Sequence, residues 1–186
     1  MYTFAPHFSE ERYWMDFLKD YIISFKGLAP GKHDFKMIAD DRFFEAMENE
    51  LVRLGSFSVH VELVKEERML SLHFRIEGSV HVECDRCLED LELRISTQDR
   101  LFVKFGDSHR EVSDEIVVIP ETAHQIDVSR YVNDYITLAI PLRKVHSDNG
   151  DLKDRCDPRV IEKLRELSAQ SSSDPRWNKL KDLKNN

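Results

Sequence analysis

Two of the three cysteines in this 186-residue chain are spaced as Cys84-Asp85-Arg86-Cys87, and they are its best-placed reactive side chains. Thiolates two residues apart across a tight turn can face one cation, which is why the spacing recurs in zinc knuckles. A tetrahedral site needs two further ligands. Cys156 is one candidate, beside an Asp157-Pro158 helix start whose dipole favours a thiolate. His146, ten residues upstream in a polar stretch, would complete a Cys3His set. Cys84, Cys87, His146 and Cys156 are therefore the expected ligands and zinc the expected ion. The plain alternative is three reduced thiols with nothing coordinated. A redox pair is less favoured. The motif falls between two strand patterns instead of opening a helix in a βαβ unit, and Asp85 and Arg86 do not both supply positive charge.

Other chemistry is thinner. His60, His73 and His81 share a polar strand face with Arg75, Arg94 and Lys104, but Glu62, Glu77, Glu83 and Glu92 interleave with them. A mixed solvated face is the better reading than a phosphate or metal patch. The chain contains no P-loop, GxGxxG, G-x-S-x-G or H-E-x-x-H, and nothing in its spacing pairs the abundant carboxylates. Near the end, Arg176, Trp177, Leu180 and Lys181 follow a Ser-rich stretch at helix-like spacing and read as a partner-docking segment. An intramolecular clasp or a frayed end is the alternative.

The elements that must position these residues follow from periodicity. Tyr21, Ile23 and Phe25 alternate, Gly27, Pro30 and Gly31 mark a turn, and alternation resumes over 33–37, which predicts a first hairpin. Asp40 or Asp41 caps a helix carrying Phe43, Met47, Leu51 and Leu54 on one face, closed by Gly55. Strict alternation over 57–63 and 70–82 predicts antiparallel strands wet on one face, with a bulge or bend at Gly78. The return strand carries Leu91, Leu93 and Ile95, then Leu101, Val103 and Phe105 after an interruption at Asp99, so 84–90 is a hairpin connection. Residues 115–119 form a short strand ended by Pro120. Asp127 caps a second helix that Pro141 stops, and Asp157-Pro158 opens a third with Val160, Ile161, Leu164 and Leu167 as its apolar stripe. The predicted fold is α+β: a twisted antiparallel sheet, with a barrel-like closure as one form of it, packed helices and a flexible C-terminal tail, in the order β-β-α-β-β-β-β-α-α. Residues 1–14 read as an N-terminal extension, with Met15 an alternative start, 15–167 as one domain and 168–186 as linker and docking tail.

Composition narrows the class. Hydrophobic residues at 41% support a core, and charged residues at 33% give a heavily solvated surface. A net charge of -8 excludes binding nucleic acid mainly by phosphate neutralisation. No apolar run is long enough for a membrane span, and Met1 to Trp14 lack the pattern of a signal peptide. The expectation is a cytoplasmic protein with reduced cysteines, bound neither to DNA nor to a membrane.

Cys84-Asp85-Arg86-Cys87-Leu88 resembles the C-x-R-C-L signature of the bacterial YceD family, the large ribosomal RNA subunit accumulation proteins. Tyr135-Ile136-Thr137-Leu138-Ala139-Ile140-Pro141-Leu142 resembles that family's helix ending in L-x-L-x-P-L. Cys156-Asp157-Pro158 resembles its C-x-P, and His146 stands near where many members have a Cys or His. Asp174-Pro175-Arg176-Trp177 with Leu180 and Lys181 is similar to its D-P-R-W-x-x-L-K ending, so the resemblance runs over roughly 17–186. It implies a non-enzymatic factor for accumulation or processing of large-subunit ribosomal RNA, engaging a ribosomal protein or pre-ribosomal particle. The acidic balance fits a basic protein partner better than direct RNA contact. The rivals are a zinc module that binds RNA directly and, further off, a thiol redox enzyme or a nuclease.

Overall fold

The computed structural model describes residues 18–52, 54–146 and 156–169. The chain runs as a 3-10 turn (Leu18–Tyr21), β1 (Ile22–Ser24), β2 (Gly31–Ala39), α1 (Asp41–Ala46), β3 (Leu54–Lys65), β4 (Met69–Glu83) and β5 (Asp90–Gly106). β6 (Arg110–Ser113), β7 (Ile116–Pro120), β8 (Gln125–Asp127), α2 (Ser129–Ala139) and α3 (Pro158–Ala169) follow. It divides into two compact units, one of Met1–Val82 with Glu92–Leu142, the other of Glu83–Leu91 with Arg143–Asn186.

The first unit is built on a six-stranded sheet ordered β2-β3-β4-β5-β7-β6, with β1 and β8 paired separately. Alternation explains it. Phe57, Val59, Val61 and Leu63 of β3 and Leu70, Leu72, Phe74, Ile76 and Val80 of β4 are all buried, while His73, Arg75 and Glu77 between them are exposed. Burying one face of each strand removes its apolar side chains from water at roughly 25 cal/mol per Å². An aromatic run closes the core: Tyr21 stacks on Phe43 at 4.6 Å, and Phe44 meets Phe43 at 5.4 Å and Phe57 at 5.9 Å. α2 buries Val132 and Ile136, and Tyr135 meets Phe74 edge-on at 5.2 Å.

The α+β class and the long strands are as expected, but several details differ. The sheet is open and mixed, because β7 pairs parallel to β5, with Phe102 opposite Ile116. A barrel would need its edge strands β2 and β6 to meet, and they do not pair. The first hairpin does not form. β1 pairs with β8 and β2 with β3. The Lys65 ammonium donates to the carbonyls of Phe25, Lys26 and Leu28 at 3.0, 3.3 and 2.8 Å, which fixes the turn after β1 away from a two-strand pairing. α1 is shorter than expected. Asp40 is its cap, accepting from the Arg42 and Phe43 N–H groups, but the helix stops at Ala46, and Leu54 and Gly55 belong to β3. The chain leaves it through Glu48 in the left-handed region (φ 51) and through Asn49, whose Oδ1 accepts from the Leu51 and Val52 N–H groups at 2.9 Å each. Gly78 is not a bulge, since it sits opposite Phe57 in unbroken register. It is glycine because a Cβ there would lie 2.7 Å from the Phe57 Cα, closer than backbone allows.

Asp99 does not interrupt β5, because Ile95 and Leu101 remain in phase across it and Thr97 Oγ1 donates to the Asp99 carboxylate at 2.8 Å. α2 begins at Ser129 with Val128, not the expected Asp127, at the cap position and no side-chain cap bond. Asp127, one residue earlier, instead accepts through Oδ1 from the Ser129 N–H at 2.8 Å. α3 starts where Asp157-Pro158 requires and includes Ser168 and Ala169, two residues beyond the expected boundary. The N-terminal extension, the Met15 start and the segment carrying Arg176, Trp177, Leu180 and Lys181 lie outside the described residues. No helix among the described residues is long and apolar enough to cross a membrane.

Candidate metal centre

The second unit holds the cysteines. The turn between β4 and β5 closes on itself, with the Cys84 N–H donating to the Glu89 carbonyl and the Leu88 N–H to the Cys84 carbonyl, each at 2.9 Å. Leu88 adopts a left-handed φ of 61 to complete it. Asp85 clamps this turn to the segment after α2. Its N–H donates to the Lys144 carbonyl at 2.7 Å, its Oδ2 accepts from the Lys144 N–H at 2.6 Å, and its Oδ1 lies 3.4 Å from the Lys144 ammonium. The Lys144 N–H, first among these, holds the Asp85 carboxyl below its usual range. At α3, Asp157 caps the helix by accepting from the Arg159 N–H at 2.8 Å, and Cys156 immediately precedes it.

These devices bring Cys84, Cys87, His146 and Cys156 together, all four buried, with their ligand atoms within 4.8 Å of one another. Separations within the cluster include 3.9 Å between the Cys84 and Cys156 sulfurs, 3.5 Å from Cys87 Sγ to His146 Nδ1 and 3.6 Å from Cys156 Sγ to the same nitrogen. A tetrahedral zinc with ordinary bond lengths has edges of about 3.8 Å between sulfurs and about 3.6 Å between sulfur and nitrogen. The donor set, its size and its burial therefore fit zinc. Among the described residues no other group of His, Cys, Asp and Glu gathers in this way.

The histidine tautomer follows from its other contact. His146 Nε2 lies 3.1 Å from the Asp90 carbonyl oxygen, which can only accept, so Nε2 carries the hydrogen and Nδ1 turns its lone pair to the sulfurs. The thiols differ. Burial opposes ionisation of Cys84, but hydrogen bonds from the Cys87, Arg86 and His146 backbone and from the Cys87 side chain outweigh it and bring the thiol down to about 6. Cys156 lacks that cradle. Burial, then the Cys87 and Cys84 side chains, push it up to about 11. A cation at the centre would favour both thiolates.

The expected four ligands are thus brought into one cluster. The strand-face histidines are not: His60 Nε2 pairs with Asp34 at 2.9 Å, and Glu62 takes the Lys32 ammonium at 3.1 Å, a mixed face as expected. Sequence reasoning missed the clamp by Asp85 and Lys144 and the Asp90 carbonyl that orients His146. Those pairs are 59 and 56 residues apart, and no local pattern marks them.

Fold and site together define a small α+β protein with a buried Cys3His cluster, two of whose residues come from the β4–β5 turn and two from the segments at His146 and Cys156. The chain matches the family model of large ribosomal RNA subunit accumulation protein YceD over residues 72–184, and it belongs to that family. The matched range begins within β4 instead of near residue 17, and includes all four cluster residues. The family's name describes the accumulation of an RNA, not a reaction. Searches of curated proteins and of solved structures gave no match.

Proposed function

We propose that the protein is a non-enzymatic cytoplasmic factor supporting accumulation or processing of large-subunit ribosomal RNA, and that it works by engaging a ribosomal protein or a pre-ribosomal particle. Membership of the YceD family carries this reading. The net charge of -8 supports a basic protein partner over direct contact with RNA phosphates. Arg176, Trp177, Leu180 and Lys181, within the matched range, remain the candidate docking segment of the tail.

Zinc belongs to the same proposal. Cys84, Cys87, His146 and Cys156 supply four protein ligands, and four buried ligands with no open position make a structural centre rather than a catalytic one. When bound, the ion would cross-link the β4–β5 turn, the segment at His146 and the start of α3.

The test is affinity isolation from cells, with and without nuclease, followed by metal analysis of the same sample. Large-subunit ribosomal proteins should be recovered and should persist after nuclease, with about one zinc per chain. Recovery of neither ribosomal protein nor precursor RNA would overturn the function. A metal content near zero in protein purified without chelator would end the zinc assignment.

A further inference from the structure

The turn that cuts α1 short exposes apolar side chains while holding them in place. Leu51 is 62% exposed and Leu54 54% exposed. Neither is on a frayed end, because Asn49 fixes the turn on both sides. Its Oδ1 accepts from the Leu51 and Val52 N–H groups, and its Nδ2 donates to Asn133 Oδ1 at 2.7 Å and Thr137 Oγ1 at 2.9 Å on α2. Beside this turn lies a cavity of about 430 Å³ whose lining includes Glu45, Glu48 and the exposed Leu54, over the buried Phe44 and Val52. Among the described residues the Glu45 and Glu48 carboxylates have no ion-pair partner. Residues 40–54 carry five carboxylates, Asp40, Asp41, Glu45, Glu48 and Glu50, against Arg42 and Arg53.

We infer that this groove is a docking site for a basic segment of a protein partner, one that places an apolar side chain against the exposed Leu51 and Leu54 and its Lys or Arg groups against Glu45 and Glu48. The inference rests on the proposed engagement of a ribosomal component and adds a second docking surface to the candidate tail segment. Charge selects the occupant. An isologous contact between two copies would set like-charged rims against each other, and RNA would bring phosphates to carboxylates. A basic segment gains from both parts of the site, the apolar anchor giving affinity and the carboxylates giving on-rate and register. Preorganisation by Asn49 lowers the ordering cost that an exposed loop would otherwise impose on binding.

The test uses the full chain, immobilised, and RNA-free protein stripped from purified large ribosomal subunits as the probe. The unmodified chain should retain one or more basic subunit proteins, less so as salt rises. Leu51→Asp, and separately the double variant Glu45→Lys with Glu48→Lys, should reduce retention by about tenfold or more. Lys104→Gln, on the exposed face of β5, should leave it unchanged. Unfolding midpoints and sedimentation are measured in parallel, and because Leu51 and Glu48 are not part of the core, the midpoints should hold. If the unmodified chain retains proteins and the groove variants retain them equally, the groove assignment is wrong and the partner reading stands. If the unmodified chain retains none, both fall. If the variants instead abolish a self-association of the unmodified chain, the groove is a contact between copies and the inference is overturned.

Discussion

The pair Cys84 and Cys156 shows how two identical side chains acquire opposite tendencies from their surroundings. Backbone N–H groups converge on Cys84 and lower it to about 6 against its burial, whereas burial and neighbouring sulfurs raise Cys156 to about 11. Zinc must displace whatever protons the ligands hold. Between pH 6 and 9 Cys156 holds its proton in the metal-free protein, so each unit of rising pH should tighten zinc by at least about tenfold. Below about pH 6 Cys84 is protonated as well, and the dependence should steepen by one further proton. Zinc titration against a competing chelator across pH 5 to 9 would show this, and Cys84→Ser should remove the steepening. A slope of zero near pH 7 would contradict the protonation states. Three of the four clustered side chains were legible from the Cys-x-x-Cys spacing and the Asp-Pro helix start beside Cys156, and His146 from its place in the polar stretch upstream. The tautomer of His146 was not, because it depends on the Asp90 carbonyl 56 residues away.

Among the elements, the turn that ends α1 carries a strain that its sequence does not advertise. Glu48 occupies the left-handed region at φ 51, where a residue with a Cβ pays about 1–2 kcal/mol and glycine does not. Part of that relief is offset by the greater freedom of glycine in the unfolded chain. Glu48→Gly should therefore stabilise the protein by about 0.5–1 kcal/mol in urea unfolding while weakening retention of basic subunit proteins. Unchanged retention would remove Glu48 from the docking rim. The run Phe43, Met47, Leu51 and Leu54 fits a helical stripe, which is why a longer helix is expected from sequence. Asn49 overrides it, since its amide satisfies two backbone N–H groups and reaches two side chains of α2, contacts that a continued helix would forfeit.

For the molecule as a whole, the two units differ in what holds each together. The first buries the inner faces of β3, β4 and β5 under α1 and α2. Among its described residues the second buries Cys84, Cys87, Leu91, Val145, His146 and Cys156. A metal held by four of these six would cross-link them directly. Removing zinc with a chelator should therefore raise amide hydrogen exchange at 84–90 and 144–146 and leave the 57–63 and 70–76 strands protected. Equal deprotection of both regions, or of neither, would contradict a local structural metal. The sequence by itself determined the strands with unbroken period-2 alternation, the starts of α1 at Asp40 and of α3 at Asp157, and the four side chains able to hold a cation, because periodicity, caps and ligand chemistry are local properties. Tertiary structure decided the β1–β8 pairing, the parallel β5–β7 edge, the early end of α1 and the meeting of Cys84 and Cys87 with His146 and Cys156. Those depend on which strand edges and backbone groups remain unpaired after the rest of the chain has packed, and no spacing within one segment records that.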